Sequence, residues 1–352
     1  MNKLKSMYIE VTSVCNMNCP YCYNNSGCKG TYLDKKYVFD LIDQCYKNKI
    51  SEITISGGEP FLHPNIMDFI KYANNKQIHV RIISNLSTIK TDTAIEILKH
   101  GNYFQLTLDS TDEKENDSIR GKGCYKKIIE LLEKAKKVNL SKRIVLRMNL
   151  SKKNVNKIDS FINLSIFYGV KHVSIAFIAN CGRGQEYEYA FSYQHTLSEM
   201  IGIMEKLKVL SIKLKETIDI SYNNLEEQRS CPLFNLGDIE INPRIDPNGN
   251  VFFCGYFFGE ENSLGNISNN SVDEIINSKD FHCFKEKVQK RKQNNKCEVC
   301  LFNKICSCGC PAISFMNTNN IFNIDNQCKM IKYFIKNNFR KKRGLLNNKN
   351  ER

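Results

Sequence analysis

The stretch MYIEVTSVCNMNCPYC, residues 7–22, decides the fold. It opens on a short run of β-formers and passes at once into Cys15-x3-Cys19-x2-Cys22. Three thiolates this close in sequence can hold three irons of a 4Fe-4S cube and leave the fourth open. A closed four-cysteine site only moves electrons, whereas an open iron can bind donor atoms of a second molecule. Alone, the three cysteines also fit a zinc site completed by His63 or Cys28.

Outward from that stretch the β-rich runs recur at 52–56, 80–84, 104–109, 144–149 and 172–178. Each is short and mostly apolar, as a strand buried on both faces should be. Amphipathic segments at 35–49, 63–75, 91–99, 126–138 and 155–168 separate them and have helical spacing. Six βα units predict an α/β fold, a partial (β/α)6 TIM-like barrel over residues 1–185, with its chemistry at the C-terminal ends of the strands. Residues 186–230 read as a linker with one helix at about 197–210. From Cys231 the composition turns to cysteine, glycine, asparagine and turn signals such as DPNGN (246–250), which marks a small second domain over 231–330.

The 352 residues are 41% hydrophobic and carry 16 cysteines. No apolar signal-peptide segment precedes the first cysteines and no run of 18 apolar residues occurs, so a cytoplasmic protein without membrane spans is expected. In that compartment thiols stay reduced, and their spacing has to explain them. Of the net charge of +14, residues 329–352 supply +8, nine Lys or Arg against Glu351 alone. A basic C-terminal tail over 331–352, read as a solvated terminal helix, accounts for this without a nucleic-acid partner.

The whole arrangement resembles the radical S-adenosylmethionine (SAM) superfamily, in which this cysteine triad follows the first strand. The resemblance rests also on SGGEP (56–60) after the second strand, SNLS (84–87) after the third, LTLDS (106–110), NDSIRGKGCY (116–125) and CGRG (181–184). It implies that Cys15, Cys19 and Cys22 hold a SAM-binding 4Fe-4S cluster and that Tyr21 lies near the adenine. It further implies that Gly57, Gly58, Glu59 and Pro60 receive the SAM amino group, and that Asn85 belongs to a cofactor loop. Thr107 and Asp109 would face the ribose or substrate pocket, and Arg147 is a candidate for the SAM carboxylate. For Arg120 and Arg147 an ordinary ion pair is the competing reading. No substrate-touching catalytic residue is assigned.

The later cysteines resemble a SPASM domain, a module with two auxiliary 4Fe-4S clusters. Gly249-x4-Cys254 and Cys297-x2-Cys300-x5-Cys306-x3-Cys310 carry that likeness, together with ENSLGNISNNSVDEII. One cluster would use Cys297, Cys300, Cys306 and Cys328, the other Cys231, Cys254 and Cys310. The second lacks an eighth cysteine, so its last iron is open or closed by Cys308, Cys283 or a substrate atom. A zinc ribbon on the two close pairs is the rival reading, and Cys45 and Cys124 read as thiols without chemistry.

The resemblance implies an enzyme that reductively cleaves SAM to a 5′-deoxyadenosyl radical and modifies a peptide or protein side chain by cross-linking or oxidation. The expected partners are that substrate and a low-potential electron donor of flavodoxin or ferredoxin type. Because the chain starts at the first strand, without a leader-binding domain, a separate leader-peptide-binding protein is a further expected partner. Gly255 after Cys254 departs from the Asp of sulfatase-maturing members. The alternatives are a small-molecule or tetrapyrrole-modifying enzyme and, from another class, a non-catalytic metal- or nucleic-acid-binding protein.

Overall fold

The computed structural model describes residues 1–192, 195–222, 231–303, 306 and 308–347. Seven parallel strands follow one another in sequence order: β1 (Tyr8–Thr12), β2 (Glu52–Gly57), β3 (His79–Ile83), β4 (Tyr103–Thr107), β5 (Ile144–Leu150), β6 (His172–Phe177) and β7 (Asp219–Tyr222). Helices α1 (Lys35–Lys47), α2 (Ile66–Asn75), α3 (Thr91–Lys99), α4 (Glu113–Arg120), α5 (Cys124–Lys137), α6 (Ile158–Phe167) and α7 (Leu197–Lys213) connect them. This is the expected partial α/β barrel, extended by one strand. The stretch read as a linker supplies α7 and β7; its residues 223–230 lie outside the described residues.

Side-chain alternation divides the sheet into two unlike faces. Ile9, Ile53, Val80, Phe104, Leu146 and Ile175 are buried against the apolar stripes of the helices. The alternate positions Tyr8, Glu10, Ser56, Arg81, Gln105, Arg147 and Ser174 form a polar inner face. The strands are therefore not apolar on both faces. A cavity of about 380 Å³ opens among the inner residues at the strands' N-terminal ends, where Arg81 pairs with Glu52 at 3.0 Å.

Beyond the barrel the chain returns to the same sheet. Arg244–Ile245 (β8) pairs in parallel with β1, Arg244 opposite Tyr8, and Asn250–Phe252 (β9) and Gly265–Asn266 (β10) follow antiparallel. The DPNGN turn joins β8 to β9: Asp246 Oδ1 accepts from the amides of Asn248 and Asn250, and Gly249 sits at φ +84°, where a side chain would be strained. Then come α8 (Val272–Ile276), whose Ser271 and Glu274 form a capping box, α9 (Lys279–Gln289), α10 (Asn295–Glu298), α11 (Pro311–Thr318) and α12 (Cys328–Asn347). The basic tail is thus largely helical. Its first turns are packed, with Met330, Phe334 and Ile335 buried and the Tyr333 hydroxyl donating to Glu205 of α7 at 2.9 Å. No described helix is long and apolar enough to cross a membrane.

Candidate active site

The triad loop leaves β1 and is fixed first by backbone bonds. The Cys15 amide donates to the Gly27 carbonyl at 2.7 Å, and Cys22 closes a turn onto the Cys19 carbonyl. From the next loop, the amides of Gly58 and Glu59 donate to the Thr12 and Val14 carbonyls at 2.7 and 2.9 Å. A Cβ on Gly57 would stand 2.1 Å from the Thr12 oxygen, and one on Gly58 2.2 Å from that of Val14. Glycine is required here so that the GGEP loop can lie against the triad loop.

Glu59 is fully buried. Its carboxylate accepts from the Ser84 hydroxyl (2.8 Å), the Asn85 amide (2.7 Å) and the Phe61 amide (3.1 Å), so it ties the second loop to the third. Burial pushes this carboxyl above the ordinary carboxylate range, against the pull of those bonds. Pro60 opens a 3-10 turn. Asn85 places its Nδ2 3.9 Å from the Cys15 sulfur and 3.1 Å from Asn16 Oδ1. His63 is 3% exposed and both its ring nitrogens are engaged, by the Leu33 carbonyl and the Asn65 amide, so it is not free to complete a zinc site with the triad; Cys28 is exposed.

The CGRG segment contributes a clamp that its motif alone did not assign. Arg183 donates from Nε to the Cys19 carbonyl at 2.8 Å and from Nη1 to Asn25 Oδ1 and the Ser26 carbonyl at 3.0 and 2.9 Å, while its amide donates to the Cys22 carbonyl. Gly182, at φ +54°, leaves no room for a Cβ, which would lie 2.4 Å from the Cys22 and Tyr23 oxygens.

Beside the triad, the Tyr21 hydroxyl donates to Asp109, whose other oxygen accepts from the Asn149 amide at 2.9 Å. Asp109 is fully buried and Tyr21 8% exposed, and burial raises both. The Arg120 guanidinium reaches the Tyr21 hydroxyl at 3.4 Å, brought there because Asp117 caps the next helix across Gly121 and Gly123. Thr107, 8% exposed, ends β4 in the same region. Arg147 donates to Asn149 Oδ1 at 2.9 Å and lines a chamber of about 980 Å³.

That chamber joins the mouth of β5 and β6 to the C-terminal cysteines. Tyr187, Tyr256, Cys297, Cys306 and Cys328 all line it. The cysteines fall into two groups by the charges that act on them: Cys328 is influenced by Cys306, Cys297 and Cys300, and Cys254 by Cys231 and Cys310 by Cys254. Burial pushes Cys254 up to about 11 and Cys231 and Cys310 up to about 12, with neighbouring thiols adding to it. Cys308, at φ +57°, is hydrogen-bonded to Cys297 and so lies beside the quartet. Cys283 is exposed on α9. Cys45 and Cys124 are buried.

The donor set suits iron-sulfur clusters. Every described cysteine is a free thiol. Cys15 is pushed up to about 11 by burial first, then by Glu59, Cys19 and Cys22, so this thiol holds its proton until a metal cation displaces it. Two buried guanidiniums retain unpaired N–H groups beside the thiols: Arg120 Nε near Cys19, and Arg291 Nε and Nη1 near Cys310, Cys308 and Cys297. An anionic thiolate-bound cluster offers the acceptors they lack. No three described His, Cys, Asp or Glu side chains meet closely enough to grip a single ion.

Comparison with known proteins adds to this geometry. Residues 9–164 match the family model of the radical SAM superfamily, and residues 241–301 match that of an iron-sulfur cluster-binding domain, SPASM. The chain is 23% identical over 326 residues to the mycofactocin maturase MftC of Mycobacterium tuberculosis, covering 91% of this chain and 81% of that protein. It is likewise 23% identical over 345 residues to the AdoMet-dependent heme synthase of Methanosarcina barkeri, covering 91% and 94%. Among solved structures, Streptococcus suis SuiB bound to its precursor peptide SuiA has the same fold, with a TM-score of 0.73 at 17% identity over 92% of this chain and 75% of that one.

Proposed function

Because the chain belongs to the radical SAM superfamily and carries a SPASM iron-sulfur domain, we propose that it modifies a side chain of a peptide or protein, by cross-linking or oxidation, in the chamber between the barrel mouth and the C-terminal cysteines. The observation that carries this reading is the chamber itself. At about 980 Å³ it is wide enough for a peptide segment, and it runs from Arg147 on β5 to the cysteine quartet. MftC is a maturase and SuiB was solved with a precursor peptide, which supports the same substrate class.

When bound, SAM and the triad's 4Fe-4S cluster supply a radical able to remove an unactivated hydrogen atom. The chain's own residues hold and orient. Cys15, Cys19 and Cys22 are the proposed cluster ligands, kept in register by Arg183 and by the Gly57–Gly58 contact. Asn85 and Tyr21 border the place where SAM would lie, and Asp109 fixes the Tyr21 ring through its hydroxyl. In this role Glu59 shapes the amine-receiving loop from behind, through Ser84 and Asn85. Cys231, Cys254 and Cys310 and the quartet of Cys297, Cys300, Cys306 and Cys328 would hold two further clusters, which would supply electron acceptors for oxidation of the substrate. A low-potential electron carrier, a leader-peptide-binding protein and a cytoplasmic location complete the proposal.

A tetrapyrrole substrate is the second reading, favoured by the equal identity to the heme synthase. Anaerobically reconstituted protein with SAM and reductant, offered a short peptide encoded beside its gene or a porphyrin, separates the two by the mass of the product. Modified peptide sustains the proposal, and modified porphyrin with untouched peptide overturns it. Iron content tests the clusters: about twelve irons per chain, falling to about eight in Cys15→Ala/Cys19→Ala/Cys22→Ala, is expected. About four irons would sink the assignment of the C-terminal cysteines.

A further inference from the structure

A buried ion pair stands between the loop that carries Cys22 and the loop that carries Cys254. Glu10 lies on the inner face of β1, and Arg244 is the first residue of β8. Arg244 Nη1 is 2.9 Å from Glu10 Oε2, with the two side chains 4% and 1% exposed. Neither residue lines the chamber, and neither is a candidate cluster ligand.

Each partner reaches one of the two loops. The other carboxylate oxygen of Glu10 accepts from the Tyr23 hydroxyl at 3.1 Å and from Asn24 Nδ2 at 3.0 Å, and these residues follow Cys22 directly. Arg244 Nη2 donates to the Phe257 carbonyl at 2.9 Å, and the Phe257 amide donates back to the Cys254 carbonyl. The guanidinium is held between the rings of Phe252 and Phe258, 4.3 and 4.4 Å from their centroids, and Phe258 also touches the Tyr23 ring. The Tyr8 hydroxyl, bonded to Tyr23 and Ser56, closes the network on the β2 side.

Such a pair needs a reason to exist. Replacing a buried ion pair with apolar side chains often costs no stability, so packing alone does not call for these charges. Burial pushes the Glu10 carboxyl up against the pull of Arg244. Arginine stays charged in proteins, and protonating its carboxylate partner would leave that cation uncompensated, so the pair is ionised. In a low-dielectric joint the two charges act on their surroundings over several ångströms. They act unequally on the trio loop, because the guanidinium bonds the Phe257 carbonyl, whose own amide bonds Cys254, whereas the Glu10 carboxylate is turned to Tyr23 and Asn24 behind Cys22.

We propose that the Glu10–Arg244 pair links the triad loop to the trio loop, fixing their spacing, and that its cationic end raises the reduction potential of the cluster bound by Cys231, Cys254 and Cys310. This rests on the reading that the trio binds a cluster, and wild-type iron content tests that reading separately.

The test is a redox titration followed by EPR on the reconstituted full chain, using the signal that disappears in Cys310→Ser. Glu10→Gln unmasks the cation, and the double variant Glu10→Met/Arg244→Met removes both charges while keeping an apolar joint. At a fixed solution potential the trio cluster is expected to be about tenfold more reduced in Glu10→Gln and about tenfold less reduced in the double variant, each equal to about 59 mV for a one-electron couple. Opposite shifts are the signature of a charge, since simple loosening of the joint would move both variants the same way. Full iron content with potentials unmoved, or moved in one direction, overturns the inference. Absence of the trio's irons in wild type overturns the cluster reading and this inference with it. Should Glu10→Gln fail to fold with its unpaired arginine, the double variant decides, because its potential must fall.

Discussion

Arg183→Ala should detach the triad loop while leaving the C-terminal cysteines intact. The side chain makes three hydrogen bonds to that loop, at 2.8, 3.0 and 2.9 Å, and each has a cationic donor. Such bonds contribute roughly 1.5–3 kcal/mol each when sheltered. Arg183 is only half-buried, so about 1 kcal/mol each is the fitting figure. The sum, about 3 kcal/mol, corresponds to a roughly 150-fold shift towards the disordered loop. The expected result is iron release to a chelator from the triad at least tenfold faster than in wild type, loss of SAM-induced change in the EPR spectrum, and retention of about eight irons in the C-terminal groups. Arg183→Lys should recover little, because one ammonium cannot reproduce a fork that reaches three acceptors. Wild-type rates of iron release from the triad in Arg183→Ala would refute the clamp.

Gly58→Ala puts a methyl 2.2 Å from the Val14 carbonyl oxygen, and since both partners are backbone the triad loop must move; iron analysis should show the triad cluster lost and the others kept. Cys308→Ser should leave the iron count unchanged but alter the EPR signal of the quartet cluster, because Cys308 is hydrogen-bonded to Cys297; a change in the trio's signal instead would contradict its placement. Tyr21→Phe removes the donor to a fully buried carboxylate at a cost of about 1–3 kcal/mol, read by urea denaturation; an unchanged midpoint would show that the contact carries no weight. For Glu59 the native pKa lies above the unfolded one, so its stabilising contribution is present below about 4.3 and is lost as pH rises through the raised native value. The stability deficit of Glu59→Gln relative to wild type should therefore narrow with rising pH across that window, and a widening deficit in denaturation curves would reverse the assignment.

The strands were legible because each carries a run of β-formers bounded by turns, and the structure moves their ends by a residue or so. Their inner face was less so: in EITIS and FQLTLD the polar positions alternate, and only the assembled barrel shows that this face lines a polar interior. Helix α4 gave no periodic signal because EKENDSIR has a single apolar residue and is held by the Asp112 cap. Strand β7 hid in the expected linker because DISY is four residues long and buries only Ile220. The cysteines were legible since thiolate spacing is itself the chemistry. The partners of Glu59, Tyr21 and Asp109 were not, because a residue type announces what it can bond to but not which of several neighbours it chooses. Tyr21 meets Asp109 across 88 positions, and Arg183 meets Cys19 across 164.

The continuity of the sheet brings two cysteine-bearing segments far apart in sequence onto one framework. Strand β1 is flanked on one side by β2 and on the other by β8, so the strand that delivers the triad is central in a sheet to which the later cysteines are attached. Side chains alternate along a strand, so a one-residue slip of β8 would exchange Arg244 with Ile245 and place a cation in the apolar layer where Ile245 is fully buried. Burial thus fixes the register, and the register sets Arg244 opposite Tyr8 on one side and Phe252 on the other, with Glu10 further along the same inner face of β1. The seating of Arg244 beside Glu10 is therefore set first by backbone hydrogen bonds and only afterwards trimmed by side chains. An interface of side chains alone could slide without breaking a ladder, but this one cannot, which is why a single buried ion pair at the joint has a defined orientation towards each loop.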